Sequence, residues 1–538
     1  MKTQRIRKRI YLCIALVLPL ILASTASIRL YDRGKSFYAK IQLFNDILRR
    51  IDEDYVEEKD PQKLVDEAIS GMVSSLDPHT TYLTKEQFER WSQNFAGYSG
   101  IGISYDIIRN KITVMSVLPG GPSEKVGLKA GDRIVAINGE SAIGIKRDEV
   151  PLKLMGPRRT KVEVSIERTG WPTPQAFTII RDEVHVKSVP YAFIIRPGVG
   201  YVSIIRFSST TAEELAEALQ DLESQGMKQL ILDLRDNGGG YLEAAVDVSD
   251  LFLPGGKQIV NTRGRIRSSF REFSSTDRIK SKMLPTIVLI NRVSASASEI
   301  VSGALQDWDR ALILGETSFG KGLVQTQYRF RDGSALLMTT ARYYTPSGRL
   351  IQRPYDDKTN EDYFSEITDG DVRENLEDDK SRPAYRTMIL KKTVLGGGGI
   401  TPHITLKTRN DTLSPSLRKL ILAPERFFYT FSEDYIKSHP ELRRMDFSDF
   451  LRNTNPNGAL LQLFLSYVKQ HGFTMTDADF QNDKSDIRFF LKQYIAAEIW
   501  GNEARYKVQM LRDKQLVEAI GYLPQAEALL KQAYGGGR

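Results

Sequence analysis

The spacing of apolar positions changes several times along the chain. Over residues 36–95 apolar side chains recur every three or four positions, as at Phe44, Ile47 and Ile51, which predicts amphipathic helices. Short alternating runs broken by Gly and Pro predict a small β-rich module over residues 97–170. Helical spacing then returns over the last ~130 residues, which predicts a helical C-terminal region.

The middle of the chain, residues 190–353, alternates strand-like and helix-like segments. Continuous apolar runs at 230–234 and 286–290 predict buried strands, and the segment 212–224 before the first of them has helical spacing. This order predicts a layered α/β domain whose strands are partly parallel. Residues 356–379 are acidic and polar, and we expect them to form a solvated surface loop.

The chain is too long for one hydrophobic core, since it has 538 residues. The hydrophobic fraction of 41% also indicates that the chain is not predominantly disordered. We therefore predict a multidomain α/β protein. Its expected parts are an N-terminal export segment (1–30), an N-terminal helical region (31–95), the β-rich module (96–172), the α/β core (173–408) and a helical extension (409–538).

The first 30 residues have the order of an export signal, in which basic residues precede an apolar run at 11–23. Small residues at Ser24 and Ala26 fit a signal-peptidase site. Extending the run to residues 11–28 gives about 18 residues, close to the ~20 that span a bilayer. A cleaved signal and an inner-membrane anchor both remain open, and both place the rest of the protein in the periplasm or cell envelope.

Charge and cysteine content exclude several classes of function. The formal net charge is +8, and five basic residues of the export segment account for much of it, which leaves 8 − 5 = +3 for the rest of the chain. This small charge, spread over the rest of the chain, does not indicate a basic surface for binding nucleic acid. The single cysteine, Cys13, lies in the export segment, which excludes disulfides, cysteine catalysis and thiolate metal sites.

Candidate chemistry begins at a serine-rich helix start that follows a predicted buried strand. Ser294, Ser296 and Ser298 lie there, where backbone N–H groups at the beginning of a helix can stabilise an oxyanion. The pattern Ser296-x-x-Glu299 also matches a capping box, which is a purely structural role. The serines alone therefore do not establish catalysis.

A lysine between two glycines makes a catalytic role more plausible. Lys321 follows another predicted buried strand, in the order Gly-Lys-Gly. A serine hydroxyl needs a base, and a lysine can serve once desolvation favours its neutral form. A Ser-His-Asp triad is disfavoured because no histidine falls in either segment. The five histidines are His79, His185, His403, His439 and His471.

A glycine-rich turn over residues 233–241 is the third element. Its N–H groups could complete an oxyanion hole with that of Ala297. The turn lacks the glycine and lysine order of phosphate-binding loops, and the sequence has no metal-ligand motif. We therefore expect neither a cofactor nor a metal.

Together, six motifs resemble the carboxy-terminal processing peptidases, also called tail-specific proteases, and occur in that family's order over residues 40–405. They are Ser-Ala-Ser-Ala-Ser-Glu at 294–299, Phe-Gly-Lys-Gly at 319–322 with Gln325, Asp-Leu-Arg-Asp-Asn-Gly-Gly at 233–239, Tyr-Thr-Pro-Ser-Gly-Arg-Leu-Ile-Gln at 344–352, Ser-Leu-Asp-Pro-His at 75–79 and Gly-Ile-Thr-Pro at 399–402. The resemblance implies a crotonase/Clp-protease-like α/β catalytic core with an inserted PDZ domain.

The resemblance assigns roles to individual residues. Ser296 matches the nucleophile, Lys321 the general base and Gln325 the residue that orients the lysine, with Ser294 and Ser298 as rival nucleophiles. The separation of Ser296 from Lys321 agrees with the family's usual spacing. The implied reaction is acyl transfer without a cofactor.

The implied oxyanion donors are Ala297 and one glycine of the turn, which is Gly238, Gly239 or Gly240. Two departures from the family pattern stand near these motifs. The turn reads Asn-Gly-Gly-Gly where many relatives have Asn-Pro-Gly-Gly, and His403 stands where Asp is common. Neither departure touches the implied dyad.

The β-rich module resembles a PDZ domain, most recognisably in Gly-Asp-Arg-Ile-Val-Ala-Ile-Asn-Gly at 131–139. Such domains bind a peptide's C-terminal end as an added strand. The family commonly uses this domain to gate the protease. The implied peptide-binding residues are Gly100, Ile101, Gly102 and Ile103.

The sequence thus predicts an exported serine endopeptidase that cleaves proteins with accessible, rather apolar C-termini. The alternatives are a catalytically silent PDZ scaffold and a protease that needs an adaptor protein; an acyl-CoA enzyme of the crotonase type is disfavoured by the Ser-Lys pair. For residues 409–538 three roles remain open: homo-oligomer contact, adaptor docking and bracing of the protease domain.

Overall fold

The computed structural model describes residues 37–535 except 97, 119, 169, 185, 278–282, 357, 367–380, 408–412 and 454–455. The expected export segment and Cys13 lie outside the described residues. Within the described part of the chain, no helix is both long enough and apolar enough to cross a membrane. The chain divides into two compact units, of which one ends at Thr84 and the other begins at Lys85.

The first unit contains a helix over 37–54, the helix Pro61–Ser74 and the strand Thr81–Leu83. The second helix begins where Asp60 accepts a hydrogen bond from the Gln62 N–H and where proline occupies the first helical position. These helices agree with the predicted periodicity. Apolar side chains of the first helix are exposed, Phe37 and Ile47 among them.

The PDZ module begins the second unit after the helix Lys85–Ala96. Its sheet runs in the order Ile103–Ile108, Lys111–Val117, Arg133–Ile137, Lys161–Glu167 and Gln175–Ile180, with Glu140–Ser141 beside the third strand. All described pairs in it are antiparallel. The strand Ile103–Ile108 stands first in this order and therefore forms one edge of the sheet. The module also contains the helix Glu149–Leu154.

The α/β core is built on a six-stranded sheet whose inner strands are continuously apolar and buried. The strand order is Tyr191–Arg196, Val199–Ser203, Gln229–Asp233, Thr286–Ile290, Leu312–Gly315 and Ile404–Thr405. Only the first pair is antiparallel, and the other four are parallel. The carboxyl ends of the parallel strands consequently meet at one edge, where helix starts can face a common site.

Both faces of this sheet are covered. Leu230, Leu232 and Val288 pack against helices that cross over between the strands. Ile231 and Leu289 belong to the opposite face, which packs against the C-terminal helices. This alternation follows from the period of two in strands and explains why these strands lack a polar face. The crossover helices are Thr211–Ser224, Leu242–Asp250 and Ala297–Asp307.

A second, antiparallel sheet lies over the helix Ala297–Asp307. Its strands include Leu323–Arg329, Ala335–Tyr344, Gln258–Gly264 and Arg271–Ser274. Smaller elements lie outside these sheets: Tyr98–Gly100 paired with Asp182–Val184, Ala384–Arg386 paired with Thr393–Leu395, the helices Pro122–Lys125 and Asn360–Ser365, and the short helical turn Arg267–Ser269.

The C-terminal region is helical, as the apolar spacing predicts, and has its own aromatic core around Phe428, Phe431 and Phe464. It contacts the PDZ module through two ion pairs, Arg133 with Glu433 at 2.9 Å and Arg426 with Asp106 at 2.8 Å. The helices are Pro415–Leu422, Phe427–Ser438, Phe447–Asn453, Gly458–Gln470, Asp477–Trp500, Asn502–Met510, Lys514–Gly521 and Leu523–Tyr534, with a short turn at Pro440–Arg444.

His403 makes the stability of this fold sensitive to acid. Its Nδ1 accepts a 2.9 Å hydrogen bond from the Ile313 N–H, and among the described residues none bonds its buried Nε2. Burial lowers the pKa of His403 from 6.5 to about 4, and the charges of Lys392 and Arg349 act in the same direction. The neutral ring is therefore favoured in the folded state.

We expect His403 to destabilise the protein as pH falls. Above pH 6.5 the ring is neutral whether the chain is folded or unfolded. Between that value and pH 4 only the unfolded chain takes up the proton, so the free energy of unfolding should decrease by about 3 kcal/mol. Denaturant unfolding at several pH values, compared with His403→Gln, measures this contribution. Equal pH slopes for the two proteins would contradict it.

Candidate active site

Ser296 occupies a sharp connection between the strand Thr286–Ile290 and the helix Ala297–Asp307. Its backbone has φ 55° and ψ −110°, a conformation that L residues rarely adopt. Such a conformation costs about 1–3 kcal/mol and persists where the surrounding structure imposes it. The connection places Ser296 on the wall of a cavity instead of inside the helix.

The two rival serines are engaged in holding this connection. Ser294 and Ser298 are fully buried. The Ser294 hydroxyl donates to the Leu234 carbonyl at 2.8 Å, and the Ser298 hydroxyl donates to the Asn237 carbonyl at 2.9 Å. Of the three serines, Ser296 is the one that lines the cavity.

The glycine-rich turn packs directly against Ser296. Gly239 has φ 100°, and a Cβ there would lie 2.8 Å from the Ser296 Cβ and 3.0 Å from the Ala297 nitrogen. Only glycine permits this approach. The Gly239 N–H donates to Asn237 Oδ1 at 2.9 Å. Ala297 is the first residue of its helix, so its N–H has no partner within the helix.

Gly240 is held against a neighbouring segment. A Cβ on Gly240 would lie 1.9 Å from the Phe207 carbonyl oxygen, so no side chain fits there. The two residues form a parallel bridge. Gly240 also lines the cavity, together with Gly238. The turn thus presents backbone, not side chains, to the space beside Ser296.

Lys321 lines the same cavity. It lies in a turn between the strands Leu312–Gly315 and Leu323–Arg329. Its Nζ donates to Gln325 Oε1 at 2.6 Å. Ser296, Lys321 and Gln325, which the sequence assigns to one site, all line this cavity.

A buried carboxylate joins the serine connection to the lysine turn. Glu299 is fully buried and accepts hydrogen bonds from the backbone N–H groups of Ser296 at 2.8 Å, Gly320 at 2.6 Å and Lys321 at 2.9 Å. It also accepts from the Ser318 hydroxyl at 2.5 Å. Burial raises the pKa of Glu299, and these hydrogen bonds oppose that rise.

Sequence reasoning recognised Glu299 only as the second member of a capping box. Its bond to the Ser296 N–H is the one that such a box requires. The hydrogen bonds from Glu299 to the lysine turn join residues about 20 positions apart, and no local sequence pattern predicts them.

Two residues to which the sequence analysis assigned no role hold the lysine turn through its glycines. Gln352 Oε1 accepts from the Gly322 N–H at 2.8 Å, and the Arg353 N–H donates to the Gly320 carbonyl at 2.9 Å. The Arg353 guanidinium lies 4.1 Å from the ring centre of Tyr363, a side chain that is fully buried. Because the Gly320 and Gly322 peptides are fixed, they determine the direction in which the Lys321 side chain points.

The described first part of 356–379 is mostly exposed, as expected of a surface segment, but it is not simply a loop. The helix Asn360–Ser365 forms there, and Tyr363 packs edge-on against Phe319 with ring centres 5.9 Å apart. The sequence pattern did not predict burial of Tyr363, because acidic residues surround it in the sequence. Burial of Tyr363 against the lysine turn overrides that local polarity.

The cavity has a volume of about 590 Å³, and both apolar and polar side chains line it. Ile300, Phe273 and Leu337 contribute to its walls. The Tyr343 hydroxyl donates to the Ser296 carbonyl at 3.2 Å. No cluster of metal-ligating side chains occurs among the described residues. The arrangement suits an apolar side chain placed beside a hydroxyl and an amine.

The predicted peptide-binding residues lie at the start of the PDZ edge strand. Gly100 ends a short strand, Ile101 is buried, and Gly102 has φ 72°. Ile103 is the first residue of the edge strand Ile103–Ile108. An exposed strand edge has unpaired backbone groups to which a peptide strand can be added.

Four family models match the chain: peptidase family S41 over residues 198–360, the PDZ domain over 91–167, the activating protease CtpB N-terminal domain over 25–87, and a family of unknown function, DUF8443, over 421–501.

Two relatives match more than half of the chain. The carboxy-terminal-processing protease of Bartonella bacilliformis is 39% identical over 352 residues, which are 64% of this chain and 80% of that protein. The carboxy-terminal processing protease CtpA of Bacillus subtilis is 35% identical over 342 residues, 63% of this chain and 72% of that protein.

Among solved structures, the photosystem II D1 C-terminal processing protease is 27% identical, with a TM-score of 0.34. The match covers 72% of this chain and 98% of that one.

Proposed function

Because this chain belongs to peptidase family S41 and is a carboxy-terminal processing serine protease with a PDZ domain, we propose that it cleaves exported proteins through a Ser296–Lys321 dyad after its PDZ domain has bound their C-terminal tails. The observation that supports this most directly is that Ser296, Lys321 and Gln325 line one cavity. No cofactor takes part.

The proposed reaction is acyl transfer. Neutral Lys321 takes the proton of the Ser296 hydroxyl, and the resulting alkoxide attacks the scissile carbonyl carbon. Lys321 then gives this proton to the leaving amine as the C–N bond breaks, which leaves an ester on Ser296. Lys321 next deprotonates a water molecule, and the hydroxide attacks the ester carbonyl carbon. As the ester C–O bond breaks, Lys321 returns this proton to the Ser296 oxygen, which releases the new carboxyl end and restores both residues. Gln325 orients the amine through its Oε1, at 2.6 Å from Nζ.

The oxyanion of each tetrahedral intermediate would be stabilised by backbone N–H groups. Ala297 supplies one of them, because its N–H starts the helix that follows the nucleophile. The second comes from the glycine turn, at Gly239 or Gly240. The Gly239 N–H, which donates to Asn237 Oδ1 in the free protein, has to exchange that acceptor for the substrate oxygen.

The proposed tail site is the PDZ edge strand. A substrate C-terminus would pair with Ile103–Ile108 as an added strand, while N–H groups over Gly100–Ile103 hold its carboxylate. The apolar side chains in the cavity wall support an apolar substrate residue beside the cleaved bond. The proposal of export rests on the basic and apolar order of residues 2–28.

A cleavage assay with matched substrate tails tests the proposal. The chain lacking residues 1–30 is given an unstructured protein that ends in apolar residues, and the same protein with its terminal carboxylate amidated. We expect faster cleavage of the free carboxylate form and covalent labelling of the enzyme by a fluorophosphonate. Ser296→Ala should lose both activities.

Each other outcome has a definite meaning. Cleavage by Ser296→Ala would move the nucleophile to Ser294 or Ser298. Equal cleavage of the two substrates would contradict tail recognition by the PDZ domain. A chain that binds the tail but neither cleaves nor reacts with the fluorophosphonate would be the silent scaffold, and activity that appears only on adding envelope extract would indicate an adaptor.

A further inference from the structure

The turn beside the nucleophile is fixed to the nucleophile segment by its backbone. The Asn237 carbonyl accepts the Ala295 N–H at 3.0 Å as well as the Ser298 hydroxyl, and the Leu234 carbonyl accepts the Ser294 hydroxyl. A shift of residues 234–240 would therefore displace the connection that carries Ser296. Whatever fixes this turn also fixes the reacting geometry.

Arg235 stands at the start of this turn, and its guanidinium is almost completely paired. It donates to Asp233 at 2.6 to 3.1 Å, to both carboxylate oxygens of Asp513 at 3.1 and 2.6 Å, and to Gln515 Oε1 at 2.9 Å. The Arg235 and Asp513 side chains are only 12% and 16% exposed. A two-oxygen pair with so little exposure to water is among the stronger polar contacts in proteins.

Asp513 and Gln515 belong to the C-terminal helical region, not to the protease core. Asp513 caps the helix Lys514–Gly521, since its Oδ1 accepts the Leu516 N–H at 2.9 Å. Gln515 Nε2 donates to the Leu406 carbonyl of the core at 2.6 Å. The carboxylate that meets Arg235 is consequently held in place by a helix that itself packs on the sheet.

A second contact connects the same two regions. The Tyr201 hydroxyl donates to Asp233 Oδ2 at 2.8 Å and lies 2.8 Å from the Tyr506 hydroxyl of the C-terminal region. Tyr506 also stacks on Tyr191 with ring centres 3.7 Å apart. The carboxylate on the other side of Arg235 is therefore also fixed through the C-terminal helices.

We propose that Asp513 is a positioning residue for the protease reaction and that the C-terminal helical region, through Asp513 and Arg235, holds the oxyanion turn against Ser296. This inference rests on the proposed function. It gives the helical extension the role of a brace for catalysis. The family model of unknown function matches residues 421–501 and ends before Asp513, so that match does not assign this role.

Substitutions at Asp513 can separate its two contacts. Asp513→Ser keeps a good helix cap but is too short to reach Arg235. Asp513→Asn keeps the cap and one acceptor for the guanidinium. Asn457 caps the helix Gly458–Gln470 in the same region by accepting the Leu460 N–H at 2.9 Å. Asn457→Ser is therefore the matched control, a change of cap residue with no link to Arg235.

The experiment measures kcat and KM of the full chain, purified in detergent, on a short internal peptide, together with the rate of fluorophosphonate labelling. We expect Asp513→Ser to lower kcat and the labelling rate by about 10- to 100-fold, as displaced catalytic groups do, with KM nearly unchanged. Asp513→Asn should recover part of this loss, and Asn457→Ser should match the unmodified protein.

A double-mutant cycle decides whether Asp513 acts through Arg235. In an Arg235→Gln protein, adding Asp513→Ser should change kcat no further. An equal loss in both backgrounds, or an unchanged kcat in Asp513→Ser, would overturn the inference while leaving the protease function intact. If Asp513→Ser does not fold, Asp513→Asn provides the same comparison. An unmodified chain that neither cleaves nor reacts with the fluorophosphonate would instead refute the proposed function, and this inference with it.

Discussion

Replacing Lys321 by methionine should lower kcat by about 10⁴-fold, the size of loss seen when one member of a catalytic pair is removed. Methionine keeps most of the apolar length of the side chain but cannot take a proton from Ser296. Lys321→Arg should be equally inactive, because a guanidinium stays protonated at any pH that the fold tolerates. Single-turnover cleavage and fluorophosphonate labelling both measure the effect.

The matched control is Lys492→Met. Lys492 is also partly buried, and its Nζ donates to the Leu451 carbonyl at 2.8 Å, but it lies in the C-terminal helical region away from the cavity. We expect it to retain the full rate. If Lys321→Met also kept more than about a tenth of the rate, general base catalysis by Lys321, which supplies about 10²- to 10⁴-fold, would be excluded.

The second large effect is expected at Glu299. In Glu299→Gln one carboxylate oxygen becomes an NH₂ group that faces N–H donors, so part of the hydrogen bonding to Ser296, Gly320 and Lys321 is lost. Leaving such buried donors unsatisfied should lower the free energy of unfolding by about 3 kcal/mol. The two catalytic segments would also separate, and kcat should fall by about 10²-fold.

Glu433→Gln provides the comparison for this substitution. Glu433 is buried and pairs with Arg133, but at the contact between the PDZ module and the C-terminal region. It should lose a similar amount of stability while cleaving a short peptide at the normal kcat. Denaturant unfolding and steady-state kinetics of both variants decide the matter. Equal kcat values in the two would show that Glu299 supports only the fold.

Much of the fold could be predicted because its signals are local. Buried strands appear as continuous apolar runs, and the run at 230–234 corresponds to the strand Gln229–Asp233 within one residue. Glycine and proline residues in the turns likewise mark the ends of the PDZ strands in the sequence. The carboxy-terminal processing family could likewise be recognised from short motifs, because each motif is a turn or a helix start whose conformation restricts its residues.

The choice among three serines shows where local signals stop. Ser294, Ser296 and Ser298 have nearly the same neighbours in sequence, and a resemblance was needed to prefer the middle one. In the folded chain two of them donate to carbonyls of a turn about 60 residues away, and the third lines the cavity. The fold separates them because the positive φ of Ser296 interrupts the regular backbone, so that Ser296 lines the cavity while the other two bond to the glycine-rich turn.

The sequence by itself determined the order of helices and strands, the PDZ module, the family and the residue types available for acyl transfer, since these depend on spacing and turn chemistry within a few residues. Only the tertiary structure decided that Glu299 joins the serine and lysine segments, that Tyr363 is buried, and that Asp513 pairs with Arg235 across 278 positions of the chain. The sequence around an acidic residue can be the same whether its carboxylate lies on a solvated surface or beside a buried guanidinium. Its partner is selected by the path of the backbone, and that path is set by the packing of the whole core.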